Sequence, residues 1–459
     1  MLNQKCYDKD GGKSKDKWFS LRDPTLSGRK SLANCQRIAS FESQEHGPMT
    51  ADNVVFAFQM PLPKKGMHLE FSRWQQNLIG VLSLDIEYEK EVERETRVEL
   101  LIDAKLGYMN HGDKKWTLHS KSFVHRSLDC EIDQDKKREG YFYNCSILPL
   151  FELGSLHHDY YLLNLRLPAV YDHDGREISV NQDLGKLADI WMAGIHQNGG
   201  FTKVWVSLKT IFLPAAFIVL LWFRNRLQQL PRNPNILEKS LMFLGATLTI
   251  LNLPFEYATL TFDMPWLPLV NDFKQGLFYA ALMVFWLVFA GEHLLSDDGS
   301  GGPVNGVMTY WRQLAVVLFG CICLFIFDLC ERGVQLSNPF YSIWVTELGS
   351  QMALAFIIFA GVSAGVFFLF LCYTIYRVFL TIAQKQATLS NMSRVRRLHY
   401  QGIIWRFRFL MMATLVTAAL TVIGFIIGQV SEGQYKWDED ISLEYTSGFM
   451  TGTSSVFIF

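Results

Sequence analysis

GIHQNGGFTKVWVSLKTIFLPAAFIVLLWF, residues Gly194–Phe223, decides the fold class. From Val204 to Phe223 only Lys209 carries a full charge. The run is long and apolar enough to cross a bilayer as a helix, with its backbone hydrogen bonds satisfied inside the segment. Upstream, polar and apolar residues are mixed. Downstream, apolar segments at about 240–260, 275–291, 313–329, 348–376 and 409–428 follow, and a last one begins near Ser447. At about 1.5 Å per residue the piece 447–459 is too short to cross the hydrocarbon, so it reads as an incomplete helix. This repetition excludes a single buried helix in a soluble protein. The prediction is a multipass α-helical membrane protein, with an N-terminal domain over 1–200 and a transmembrane bundle over 201–459 whose spans are 204–223 and the segments above.

The first half reads as short strands between polar turns. VVFAFQMPLP (54–63) suits a strand closed by prolines. Trp74–Glu89, Val98–Leu106, Trp116–Ile132, Tyr141–Leu150, Tyr160–Leu167 and Lys186–Ile195 continue the series. This pattern points to an antiparallel β-sandwich rather than a βαβ array. Residues 1–50, rich in Lys, Asp, Gly and Ser, read as irregular.

Lys and Arg set the orientation. Arg224, Arg226, Arg232 and Lys239 follow the first span, and Arg377, Lys385, Arg394, Arg396, Arg397, Arg406 and Arg408 lie between the fifth and sixth. The alternate loops are poor in such residues, so the basic loops are predicted cytosolic and the N-terminal domain lumenal or extracellular. On that side, Cys6, Cys35, Cys130 and Cys145 permit two disulfides in any of three pairings. Asn144-Cys145-Ser146 is a glycosylation sequon there. A second sequon at Asn391 is expected to be cytosolic and silent.

Lys+Arg number 43 against 44 Asp+Glu, a balance that leaves no basic footprint for a nucleic-acid partner. No HExxH, GxSxG, P-loop or dinucleotide fingerprint occurs. The reading is therefore no enzyme, no cofactor and no metal. His157 and His158, adjacent, would point apart in a strand. Charged residues within or bounding apolar spans are Lys209, Glu256, Asp328 and Glu331. Such groups face a bundle interior, a cavity or the water boundary. The third span is dense in aromatic and small residues, which suits either a packing face or a lipid-lined cavity.

Several long stretches resemble the Wntless family: GIHQNGGFTKVW (194–205), GLFYAALMVFWLVFAGEH (276–293), FIFDLCERGVQLSNPFYSIW (325–344) and MSRVRRLHYQGIIWRFRFL (392–410). VVFAFQMPLP, YFYNCSILPLFELGS (141–155) and YYLLNLRLP (160–168) extend the likeness over nearly the whole chain. The resemblance implies an eight-helix protein whose last seven helices form a receptor-like bundle, with a lumenal β-sandwich. It implies a cargo receptor that carries acylated Wnt proteins from endoplasmic reticulum and Golgi, through endosomes, to the plasma membrane. The acyl chain would enter the bundle. A G-protein-coupled-type signalling receptor is the alternative.

On this reading Phe278, Tyr279, Phe285 and Trp286 line an acyl slot from one side, and Phe319, Phe325 and Phe327 from the other. Asn338, Phe340, Tyr341 and Trp344 touch cargo, brace the rim or anchor at the membrane interface. Membrane lipids are further partners. By comparison with the family, a first membrane anchor, the end of the last helix and a cytosolic tail that engages sorting and retrieval machinery are expected outside this sequence.

Overall fold

The computed structural model describes residues 4–10, 17–20, 35–38, 53–62, 69–89, 97–168, 170–171, 177–178, 181, 184–295, 311–388 and, in part, 401–424. The chain forms two compact units. One comprises Met1–Val206, Phe255–Pro268 and Glu331–Gly349; the other comprises Ser207–Pro254, Leu269–Cys330 and Ser350–Phe459.

The first unit is a two-sheet antiparallel sandwich. Its strands are β1 (Gln4–Tyr7), β2 (Gln36–Arg37), β3 (Val54–Met60), β4 (Leu78–Glu87), β5 (Arg97–Met109) and β6 (Thr117–Glu131), then β7 (Asn144–Cys145), β8 (Leu148–Leu153), β9 (Tyr160–Arg166), β10 (Val170–Tyr171), β11 (Glu177–Ile178) and β12 (Lys186–His196). One sheet runs β2-β1-β3-β9-β5-β6-β7 and the other β12-β4-β8, while β10 and β11 pair separately. The expected strand over Tyr141–Leu150 is instead two, β7 and β8. The two strands bring Cys145 against Cys130 and Leu148 against Leu82 in different sheets.

The two sheets share one core, in which Phe56, Phe58, Leu100, Ile102, Leu106, Tyr161 and Leu163 from the large sheet meet Leu78, Leu82, Ile86, Leu150 and Ile190 from the small one. β3 is buried at every position, which explains why apolar residues occupy both of its faces, Gln59 being its one polar residue. Phe56, Phe58 and Met60 enter the main core, whereas Val55 and Ala57 pack on the other face with Cys6 and Phe19. That second layer corrects the expectation of an irregular start. β1 and β2 join the sheet, Cys6 is bonded to Cys35, and Lys17–Ser20 lies as a strap on the outer face. Asn164 holds the strap, its Oδ1 accepting the Phe19 N–H at 3.0 Å and its Nδ2 donating to the Phe19 carbonyl at 2.8 Å. Gly107 makes room for the strap, since a Cβ there would lie 2.6 Å from the Trp18 ring. Cys130–Cys145 is the other disulfide.

The helices are α1 (Gly199–Gln228), α2 (Ile236–Leu251), α3 (Leu267–Leu295), α4 (Trp311–Gln335) and α5 (Glu347–Thr388). Among the described residues these provide five segments long and apolar enough to cross a membrane, and further helical turns lie within 401–424. The protein is thus a multipass membrane protein with an antiparallel sheet domain ahead of its helices. The predicted span 447–459 lies outside the described residues, as do the 293–310 loop beyond Leu295, most of the basic 389–408 loop and Asn391.

In the helical unit α3 supplies the central stripe. Phe278, Leu282, Trp286 and Ala290, spaced four apart, face Val317 of α4, Phe367, Leu371 and Ile375 of α5, and Met411 and Ala418. The same spacing on α5 gives two matched ridges. α4 and α5 approach closely at Gly320, where a Cβ would lie 3.0 Å from the Ser363 Cβ, as small residues allow between membrane helices.

Candidate functional site

Two groups of predicted site residues have definite places, one in each unit. In the helical unit, Phe278 and Trp286 are buried in the α3 stripe, with Tyr279 and Phe285 partly buried against the same cluster. The α4 residues do not join them as a group. Phe319 is 51% exposed and Phe325 43% exposed, meeting Phe359 and Phe273 at ring-centroid distances of 6.1 and 5.8 Å. Phe327 is half-buried. Residues two apart on a helix are turned by about 200°, so with Val317 facing α3, Phe319 is carried to the far side. Phe319 is thus outside the cluster that holds the α3 aromatics.

Of the polar residues, Lys209 and Glu256 are both buried. Glu256 lies in a 3-10 segment, Phe255–Leu260, where its carbonyl accepts the Thr259 hydroxyl at 2.7 Å. Asp328 is half-buried. Glu331 organises the loop after α4: its two carboxylate oxygens accept the Ile343 N–H at 2.7 Å and the Gln335 amide at 3.1 Å.

That loop belongs to the β unit. Phe340, expected at a rim where it could touch cargo or the membrane interface, is only 2% exposed and sits in the sandwich core. Its ring packs edge-on to Phe151 at 6.1 Å. The preceding Pro339 carbonyl accepts the Glu152 N–H of β8 at 2.9 Å, and Arg332 lies 3.8 Å from the Glu152 carboxylate. Asn338 bridges the two ends, donating to the Ser122 hydroxyl of β6 at 3.4 Å and accepting the Phe340 N–H at 3.1 Å. The loop thus plugs the sandwich between the edges of its two sheets. Tyr341 is half-buried, and Trp344 is exposed enough to reach a surface.

Arg126 fixes the plug. It is 7% exposed, and its guanidinium donates to the carbonyls of Pro149 at 2.7 Å, His125 at 2.9 Å, Leu150 at 3.2 Å and Phe340 at 2.8 Å. Burial pushes its pKa down to about 10, partly offset by the charge of Glu331. Motif reading misses this residue. The signal was the register of β6, in which Val124, Arg126, Leu128 and Cys130 alternate inward, so that an arginine occupies a core position.

His157 and His158 lie in the loop between β8 and β9 rather than in a strand, and their rings meet edge to face at 5.4 Å. His158 stacks on Tyr108 at 3.6 Å, and its Nδ1 lies 3.0 Å from Asn110 Oδ1. Asn144 is exposed at the end of the sandwich, paired with Glu131 and adjacent to the disulfide-bonded Cys145.

Comparison with known proteins separates the chain at the same junction of strands and helices. Residues 4–197 match the family description "Wntless, GOLD domain", and residues 198–459 match "Wntless-like, transmembrane domain". The chain belongs to the Wntless family. "Protein wntless" of Drosophila mojavensis is 47% identical over 457 residues, covering 98% of this chain and 79% of that protein. The Drosophila pseudoobscura pseudoobscura protein of the same name is 49% identical over 424 residues, covering 91% of this chain and 74% of its own length. "Protein wntless" of Drosophila virilis is 47% identical over 459 residues. Family membership accounts for the combination of an antiparallel sheet domain with apolar helices.

Proposed function

We propose that the chain is a Wnt secretion protein, a non-enzymatic cargo receptor that carries acylated Wnt proteins from the endoplasmic reticulum and Golgi to the cell surface. The observation that carries this reading is the match of Wntless family domains over both units. The excess of Lys and Arg after the first and fifth spans supports a lumenal β domain.

The chemistry of such a cargo sets the demand on the helices. An acyl chain left in water forgoes about 0.8 kcal/mol of apolar transfer per CH₂, so a carrier must cover it and still release it. Phe278, Tyr279, Phe285 and Trp286, gathered on α3, are the residues proposed to meet it. Tyr341 and Trp344 are proposed to face the protein part of the cargo, with Phe340 bracing them from inside the sandwich. Sorting machinery is proposed to act from the cytosolic side.

The test is secretion of a Wnt from cells lacking their own carrier, with normally acylated cargo and with cargo whose acylated serine is replaced. Capture and secretion of the acylated form alone is the expected result; equal capture of both would sink the acyl-slot mechanism. Glycosidase sensitivity of the parent, abolished in Asn144→Gln, would establish the lumenal side independently.

A further inference from the structure

Gly154 directly follows β8, and its backbone does not call for a glycine. The positive φ values among the described glycines belong to Gly112, Gly140 and Gly185. What Gly154 lacks is room. A Cβ there would lie 2.9 Å from Pro268 Cγ, 3.4 Å from Pro268 Cδ and 3.0 Å from the Pro265 carbonyl oxygen. None of these atoms can swing aside as the tip of a long side chain would. The oxygen belongs to the backbone, and the proline ring is closed onto its own nitrogen.

Pro265 and Pro268 end the connection between α2 and α3. Pro268 is the second residue of α3, in the first turn, where a proline forfeits no helical hydrogen bond. Beside them Met264 and Leu267 are buried, and the Leu267 N–H donates to the Met264 carbonyl at 3.1 Å. The first half of the connection is held by residues just ahead of β4. Arg73 donates to the Leu260 carbonyl at 2.7 Å, and the Trp74 ring meets Tyr257 edge-on at 6.1 Å. Leu78, which opens β4, pairs with Leu153 of β8, so both anchors come from one end of the small sheet. The α4–α5 connection is attached separately, through the Glu152 N–H and the Pro339 carbonyl.

Residues 255–268 belong to the β unit, and α3 runs on from them as one helix to the aromatic stripe. Phe278 lies ten residues beyond Pro268, about 15 Å along the axis. No proline follows Pro268 in α3, so no kink absorbs a displacement of the first turn on the way.

We propose that Gly154 is a positioning residue for cargo binding: by admitting Pro265 and Pro268 against the end of β8 it fixes where α3 begins, and so where Phe278 and Trp286 lie. This rests on the carrier reading, with the α3 aromatics meeting the acyl chain. A side chain at 154 displaces the start of α3 and moves those rings together, without touching the cargo itself.

The test uses the full chain in cells lacking their own carrier, with an acylated Wnt and with the same Wnt whose acylated serine is replaced. Capture is expressed per receptor that resists limited proteolysis, which removes misfolded protein from the comparison. Gly154→Val should lower capture of the acylated cargo by about tenfold, since a binding constellation tolerates only about 0.5 Å of misplacement. Gly154→Ala should lower it less. Pro268→Ala removes both ring carbons that the new Cβ meets. Added to Gly154→Ala, it should restore more than half of the loss, whereas two substitutions that merely destabilise would add. Capture by folded Gly154→Val equal to that of the parent, or losses that add in the double variant, would overturn the proposal. Where Gly154→Val fails to fold, the alanine pair decides. A parent that takes both cargoes equally would instead overturn the carrier reading, and this inference with it.

Discussion

Arg126 in the β unit and Phe278 in the helical unit are equally well buried, yet their surroundings are opposite in kind. Arg126 is inside because the alternation of β6 puts it there, and it is tolerated because four carbonyls accept its N–H groups. Phe278 is inside because it shares a four-residue stripe with Leu282, Trp286 and Ala290. Around it Ile211, Leu318 and Leu369 are more than half exposed, yet are as apolar as the stripe. In the β unit exposure means water, so the apolar residues mark the core and every buried polar group needs a partner. In the helices exposure means lipid, so hydrophobicity does not mark the inner face and close approach of small residues does more of the work.

Removing Arg126 should therefore produce the largest effect. Arg126→Met removes the donor that the Pro149, Leu150 and Phe340 carbonyls share and takes a positive charge away from Glu331. We expect a loss of about 3–5 kcal/mol, seen as a lowered melting temperature and a protease-sensitive sandwich. A variant that melts with the parent would mean that the buried hydrogen bonds are not what distinguishes the two interiors. Phe340→Ala removes the plug rather than its tether. It should cost about 3 kcal/mol and open the 336–345 loop to proteolysis or hydrogen exchange before the strands. Phe340→Leu, which refills most of the space, should recover the larger part.

The helical side of the comparison is tested by crowding rather than by polarity. Gly320→Val places methyl groups where a Cβ already meets Ser363 at 3.0 Å, and should destabilise the α4–α5 pair by about 2 kcal/mol. Phe319→Ala, on the far side of the same helix, should change the melting temperature little. Equal losses at the two positions would show that the far face of α4 is packed after all.

Legibility differs between the two units for the same reason. The membrane helices announce themselves by length and apolarity, but their inward faces do not, because lipid-facing and core-facing residues share a composition; nothing in the sequence separates exposed Phe319 from buried Phe278 on that account. The longer strands between Val54 and His196, β3 to β6, β9 and β12, were readable from alternation and turn residues, whereas the β7–β8 break and the short β10–β11 pair were not. β1, β2 and the Lys17–Ser20 strap were not, because a short run such as KWFS carries no periodicity of its own and is fixed by distant Asn164 and Gly107. Phe340 looked like an interfacial aromatic because its partners, Phe151 and Arg126, are far away in sequence. Only Arg126 could have been found beforehand, by laying the inward register of β6 against Val124 and Leu128.

Protons provide a smaller test of the same contrast. Burial, reinforced by the charge on neighbouring His157 and partly offset by Asp263, pushes the pKa of His158 down to about 4 from its ordinary 6.5. Its folded pKa lies below the unfolded one, so the unfolded chain binds more protons between those values. The stability contributed by neutral His158 is fully present above pH 6.5 and declines as pH falls toward 4, below which it changes no further. His158→Phe keeps a ring against Tyr108 but titrates no proton, and should flatten the fall in melting temperature across that window, at the cost of the hydrogen bond to Asn110. Gly320→Val should lower the melting temperature at every pH while leaving the slope unchanged. If the helical substitution altered the slope as much as the histidine one, the acid response could not be assigned to the polar accounting of the β interior.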